Sequence, residues 1–169
     1  MSDTQQKNLT PADGLADLRM LADALDRVVA DGHGDDLVAP GSDFDLSETI
    51  QHSAQSIGYA MTGYPELKPA LVRKTVGRAA KHAFLGQGRM KHNLSAPVPG
   101  APDLDESEGV EAALTELHGV ISALSSYTGT LHAHPVYGLC TKEQAARLQA
   151  MHLREHLPGL AALLADDAE

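Results

Sequence analysis

The stretch Thr141-Lys142-Glu143-Gln144-Ala145-Ala146-Arg147-Leu148-Gln149-Ala150-Met151-His152-Leu153-Arg154-Glu155-His156-Leu157 holds both a helix start and a reason to bury that helix. Thr141 and Gln144 have capping-box spacing, in which a hydroxyl and an amide three residues on satisfy each other's free N–H groups. Beyond them Leu148, Leu153, Leu157 and Leu160 recur on one face, the pattern of a helix packed on a core. Pro158 must kink or restart it. His152 and His156 fall on the same face, and residues four apart on a helix lie about 40° apart in projection and one turn apart along the axis. Two imidazoles so placed can share one metal ion. The competing reading is a pair of hydrogen-bonded core histidines, since an imidazole buried without a partner costs about 1–3 kcal/mol.

Working outward, the same helical period recurs. Thr10-Pro11 marks a helix start, followed by Leu15, Leu18, Leu25, Val28 and Val29 on one face and a stop near Gly32. Asp45 with Glu48 forms another capping box, ahead of Leu46, Ile50, Ala54, Ile57 and Met61, and Gly63 with Pro65 closes that helix. A third helix is expected from Pro69 to Phe84, with Val72, Val76, Ala79, Ala80 and Ala83 facing inward. Residues 93–108 carry Pro97, Pro99, Gly100 and Pro102 without a period and read as a long crossover connection. Val110, Leu114, Leu117, Ile121 and Leu124 define a fourth amphipathic segment. With no alternating strand-length run, the fold class is all-α, a bundle of four or five helices in one domain over 1–169, with 1–9 expected to be disordered.

Composition narrows the partners. The 13 Lys and Arg against 23 Asp and Glu give a formal charge of −10, which repels phosphate backbones, so nucleic acid is not an expected partner. No apolar run reaches the roughly 20 residues that span a bilayer. Met1 to Gln6 shows no basic and apolar leader pattern, so the expected compartment is the cytoplasm. A lone cysteine, Cys140, excludes an intrachain disulfide and a Cys-rich zinc site, so any metal must be held by His, Asp or Glu. No exposed stripe marks a dimer face, and a homodimer stays open.

The pair needs a third ligand from another helix, and His52 is the candidate. Periodicity argues against it, for His52 lies about 150° from the Leu46, Ile50, Ile57 stripe, beside Ser56 and Tyr59. Either it faces solvent or that second face lines a polar cleft. His152-Leu153-Arg154-Glu155-His156 also matches the inverted zinc-protease motif, whose glutamate is a general base. That site needs a downstream carboxylate helix, and only 13 residues follow His156. A di-iron bundle needs two Glu-x-x-His pairs, and neither is present. His82, His92 and His118 read as solvated rings at helix edges, His132 and His134 as loop residues, and Cys140 as an inert thiol.

The run from Gln51 to Pro65, Gln-His-Ser-Ala-Gln-Ser-Ile-Gly-Tyr-Ala-Met-Thr-Gly-Tyr-Pro, resembles the DinB-like superfamily, in particular its branch called domain of unknown function 1569. Thr75-Val76-Gly77, Gly88-Arg89-Met90-Lys91-His92, Pro97-Val98-Pro99-Gly100-Ala101-Pro102 and Met151-His152-Leu153-Arg154-Glu155-His156 carry the resemblance further, from about Phe44 to Pro158. His134-Pro135-Val136-Tyr137-Gly138 is similar to the turn that leads the branch's last helix into place. Phe44 departs from it where a Trp is expected, and Leu157 where an aromatic is.

The resemblance implies a four-helix bundle holding a divalent metal, zinc or nickel, through His52, His152 and His156. It also implies metal-dependent thiol S-transferases among the relatives, with a low-molecular-weight thiol as the small-molecule partner. Glu155, Tyr59 and Gln55 are the candidate acid/base or supporting groups. The alternative is a non-catalytic bundle in which the metal ties two helices or the cleft only holds a ligand, so the residues leave open whether the protein is an enzyme.

Overall fold

The computed structural model describes residues 13–166, and the regular structure within them is helical. Seven α-helices run in order: α1 Gly14–Ala30, α2 Leu46–Thr62, α3 Ala70–Lys74, α4 Val76–Gln87, α5 Val110–Ser126, α6 Lys142–His156 and α7 Pro158–Asp166, with a 3₁₀ turn at Asp35–Leu37. The all-α expectation holds. Thr10 and Pro11 lie outside the described residues, as do 1–9. The helix that is described opens at Gly14, where the Asp13 carboxylate accepts from the N–H groups of Leu15 and Ala16. Both capping boxes form, Asp45 with Glu48 on α2 and Thr141 with Gln144 on α6.

The core is made by α1, α2, α5 and α6. α2 packs on α5 and α6, and α1 packs on the same two, so α1 and α2 sit on one diagonal and α5 and α6 on the other. Leu18, Leu21 and Leu25 of α1, Ile50 and Ile57 of α2, Leu117 and Leu124 of α5 and Leu153 of α6 meet inside it, all buried. Each such side chain stabilises the folded state by about 1.5–3 kcal/mol through loss of apolar surface from water. Pro158 restarts the chain as α7, whose Gly159 lies so close to the 3₁₀ turn that a Cβ would sit 2.7 Å from Leu37 Cα.

The expected third helix is corrected in two ways. It breaks at Thr75 into α3 and α4, and Val72, Val76 (71% exposed), Ala79 and Ala83 do not face inward, whereas Ala80 does, packing with Phe84 and Leu85 around Tyr137, Leu148 and Met151. Gly77 and Lys81 are buried instead. The reason is close backbone contact, since a Cβ on Gly77 would lie 1.8 Å from the Val136 carbonyl oxygen. Nearby, the Lys81 ammonium donates to the Leu139 carbonyl at 2.6 Å. This arm docks on α6 and the segment leading into it by hydrogen bonding and shape as well as by the apolar contacts of Ala80, Phe84 and Leu85, and an apolar pattern records only the last of these.

The connection from Gly88 to Gly109 covers the second face of α2. Gln51 donates to the Asp105 carbonyl at 3.0 Å and accepts from the Asp105 N–H at 2.9 Å, while Ser47 donates to the Glu108 carbonyl at 2.8 Å. Polar residues of α2 therefore pair with loop backbone, and burial of that face costs little.

Glycine contacts give a paired prediction. A Cβ on Gly14 would stand 2.5 Å from the Arg147 backbone nitrogen, whereas one on Gly119 meets nothing within 4 Å. Gly14→Ala is expected to destabilise by about 1–3 kcal/mol through overpacking of α1 on α6. Gly119→Ala, inside α5, is expected to stabilise by about 0.5–1 kcal/mol. Urea unfolding of both variants checks the opposite signs.

Candidate metal centre

The α2–α6 contact brings His52 to the His152–His156 pair. His52 Nε2 lies 3.3 Å from His152 Nε2, and His152 Nε2 lies 3.2 Å from His156 Nε2. One ligand nitrogen from each ring falls within 4.8 Å of the other two. His52 is 4% exposed and His156 fully buried, so the second face of α2 lines a cleft rather than solvent. Phe44 closes one side, its ring centroid 5.3 Å from that of His52 and 6.4 Å from that of His156.

The donor set fits a cation. A neutral imidazole nitrogen carries either one proton or one lone pair, so three nitrogens meeting at one point cannot all satisfy one another. Two of the three separations, 3.2 and 3.3 Å, are close to the edge of a tetrahedron around an ion with bonds near 2.0–2.1 Å, which is about 3.3–3.4 Å, and the third lies within 4.8 Å. The Nδ1 atoms of His52, His152 and His156 are buried without hydrogen-bond partners. Ordering three rings in this way is costly without a ligand to gain from it. Burial, reinforced by the charge of His92, pushes His52 down to about 4 and His156 to about 3, with His52 also acting on the latter. Burial followed by the neighbouring imidazoles holds His152 well below the usual range. All three rings stay neutral near pH 7, the state that ligates metal.

A fourth imidazole joins them. The sequence reading places His92 at a solvated helix edge; in the fold its Nε2 lies 3.2 Å from His156 Nε2 and its ring centroid 4.5 Å from that of His152. Glu155 holds it, Oε2 accepting from His92 Nδ1 at 2.6 Å and Oε1 from the His92 backbone N–H at 2.8 Å. The signal was Gly88, whose left-handed conformation (φ 70°) ends α4 and turns the chain back toward α6.

The centre opens on a cavity of about 280 Å³. His52, His92 and His152 form part of its wall, with Pro97, Val98, His134, Tyr137, Leu148 and Gln149 around it. His134 Nδ1 accepts from the N–H groups of Val136 at 3.1 Å and Tyr137 at 3.2 Å, which leaves the ring proton on Nε2. Burial, then the charge of His92, lowers His134 to about 4, so it remains a neutral donor. Gln149 donates to Ser56 Oγ at 2.8 Å, and its buried Oε1 has no partner.

Other sequence candidates are placed elsewhere. Tyr59 packs against Tyr64, with centroids 5.9 Å apart, and Gln55 reaches the Pro102 carbonyl at 3.4 Å; neither lines the cavity. Glu155 reaches the centre only through His92. His118 pairs with Asp26 at 2.7 Å, and His82 and His132 are exposed. Cys140 donates to the Gly138 carbonyl, and burial pushes its thiol up, away from the reactive range.

An all-α chain carrying a buried histidine cluster beside a small cavity is the class that fold and site define. Residues 17–162 match the family described as Protein of unknown function (DUF1569), and the chain belongs to that family. No curated protein and no solved structure matches it.

The lowered histidines give a pH prediction for the metal-free protein. The unfolded chain takes up protons below about 6.5, whereas the folded rings resist until about 4 or lower. Stability is thus complete above pH 6.5 and falls as pH drops toward 4, because the unfolded state binds more protons in that window. Thermal melts with chelator present, from pH 8 to pH 4, read this directly, and His52→Gln is expected to flatten the slope.

Proposed function

We propose that this protein is a divalent-metal protein of the DinB-like type, zinc or nickel being the metal, and that it acts on a small molecule held in the cavity beside the metal. The observation that carries the reading is the convergence of His52, His152 and His156, the first two of which line that cavity. A bound divalent cation would supply Lewis acidity, lowering the pKa of a coordinated water or thiol by several units. Metal-dependent thiol S-transfer is the reaction we favour. In it the thiol gives up its proton, its sulfur forms a bond to the electrophilic carbon of a second substrate, and the leaving group departs with the electron pair.

The chain's own groups support such a ligand. The unpartnered Gln149 Oε1 can accept from a ligand N–H or O–H, and His134 on the same wall has a proton on Nε2 to donate. Pro97, Val98 and Leu148 keep the walls apolar, and no carboxylate lines the cavity among the described residues. The lone Cys140 suits a reducing compartment such as the cytoplasm, and no described helix is long and apolar enough to cross a membrane. A second reading, a non-catalytic metal tie between α2 and α6, is favoured by the burial of His52 and His156.

Metal analysis of tag-free protein is expected to give near-stoichiometric zinc or nickel, lost when His152 and His156 both become Ala. Turnover of a thiol with an electrophile, absent from His52→Ala, distinguishes the transferase. Loss of thermal stability on chelation, with no turnover across a broad panel, would establish the tie instead.

A further inference from the structure

His92 differs from the other three rings in how it is held. It sits on the connection after α4, and one carboxylate fixes both its backbone and its side chain through the two Glu155 contacts of 2.8 and 2.6 Å. A carboxylate only accepts, so Nδ1 carries a proton, and in the neutral ring, the form that ligates metal, Nε2 carries the lone pair. That lone pair stands 3.2 Å from His156 Nε2, the same separation as His156 from His152. When His156 ligates through Nε2 its proton lies on Nδ1, and the two lone pairs that then face each other are reconciled by a cation between them.

We infer that His92 is a fourth protein ligand of the ion held by His52, His152 and His156, aimed by Glu155. The inference rests on the three-histidine metal reading. A ligating histidine characteristically donates its second ring N–H to a carboxylate, which fixes the tautomer and raises the basicity of the ligating nitrogen. Among the four rings, His92 has that arrangement, while the Nδ1 atoms of the other three are unpartnered. One turn of α6 therefore supplies two ligands, His152 and His156, together with the carboxylate that orients a third. His92 stands outside the group formed by His52, His152 and His156, whose ligand nitrogens lie within 4.8 Å of one another, so it reaches the ion by a shift of its connection, and an incoming thiolate displaces it. His92 is carried by a connection rather than a long helix and lines the cavity, which makes it the exchangeable ligand.

Cobalt(II) and zinc titrations of the full-length metal-free protein test this, with visible absorption reporting coordination and a chromophoric chelator reporting affinity. Wild type is expected to show the intense absorption of four-coordinate cobalt. His92→Ala should weaken zinc binding by at least about 100-fold and change the cobalt spectrum, and added imidazole should restore that spectrum. Glu155→Gln, the positioning variant, should weaken zinc by about 10–100-fold with unchanged helical circular dichroism. Wild-type affinity and spectrum retained in both variants, with binding still lost in His152→Ala, would overturn the fourth ligand and leave the three-histidine reading standing. A wild-type chain that takes up neither metal would overturn both.

Discussion

The organising constraint in this molecule is that three neutral imidazoles must be held together at the α2–α6 contact, His152 Nε2 standing 3.3 Å from that of His52 and 3.2 Å from that of His156. Protonation of one would place a charge among buried neighbours, which is why burial depresses all three. Holding them requires α2 to be buried on two faces. Ile50, Ala54 and Ile57 enter the apolar core, while Ser47 and Gln51 on the other side are satisfied by the backbone of the proline-rich connection. That connection is therefore structural: without it His52 would face solvent and share no dry environment with its partners.

Much of the helical frame was legible in sequence because its signals are local. The capping boxes at Asp45 and Thr141, the stop at Gly63 and the restart at Pro158 depend on a few neighbouring residues, and each is where the spacing put it. The inward faces of α1, α2, α5 and α6 follow from periodicity because those faces meet other apolar faces. The α3–α4 arm was misread for the same reason. It docks through Gly77 on the Val136 carbonyl and Lys81 on the Leu139 carbonyl as well as through Ala80, Phe84 and Leu85, so the apolar pattern records only part of its inward face.

The site was legible in part. His152 and His156 follow from spacing on an apolar face, whereas His52 contradicts its own wheel, because a wheel reads polar as exposed and cannot see a covering loop. His92 was missed because its position depends on two nonlocal facts: the left-handed Gly88 that ends α4, and Glu155 sixty-three residues away. Polar contacts of this length leave no periodic trace in either segment.

Electrostatics sets the cavity apart from the rest of the chain. The protein carries a formal charge of −10, yet its cavity is walled by histidines, Lys68, amides and apolar groups, with no carboxylate among the described residues. An acidic exterior repels anions at long range, but the Debye length of about 8 Å at physiological ionic strength screens most of that field before it reaches the cavity mouth. Inside, a divalent cation bound by neutral imidazoles would retain nearly its full charge, since none of those ligands neutralises it. A thiolate or another small anion is then favoured over a neutral ligand at this point, and a second cation is disfavoured. Glu155, which reaches the histidine cluster through His92, has both of its oxygens committed to that residue, so its charge acts through that ring rather than on whatever enters the cavity.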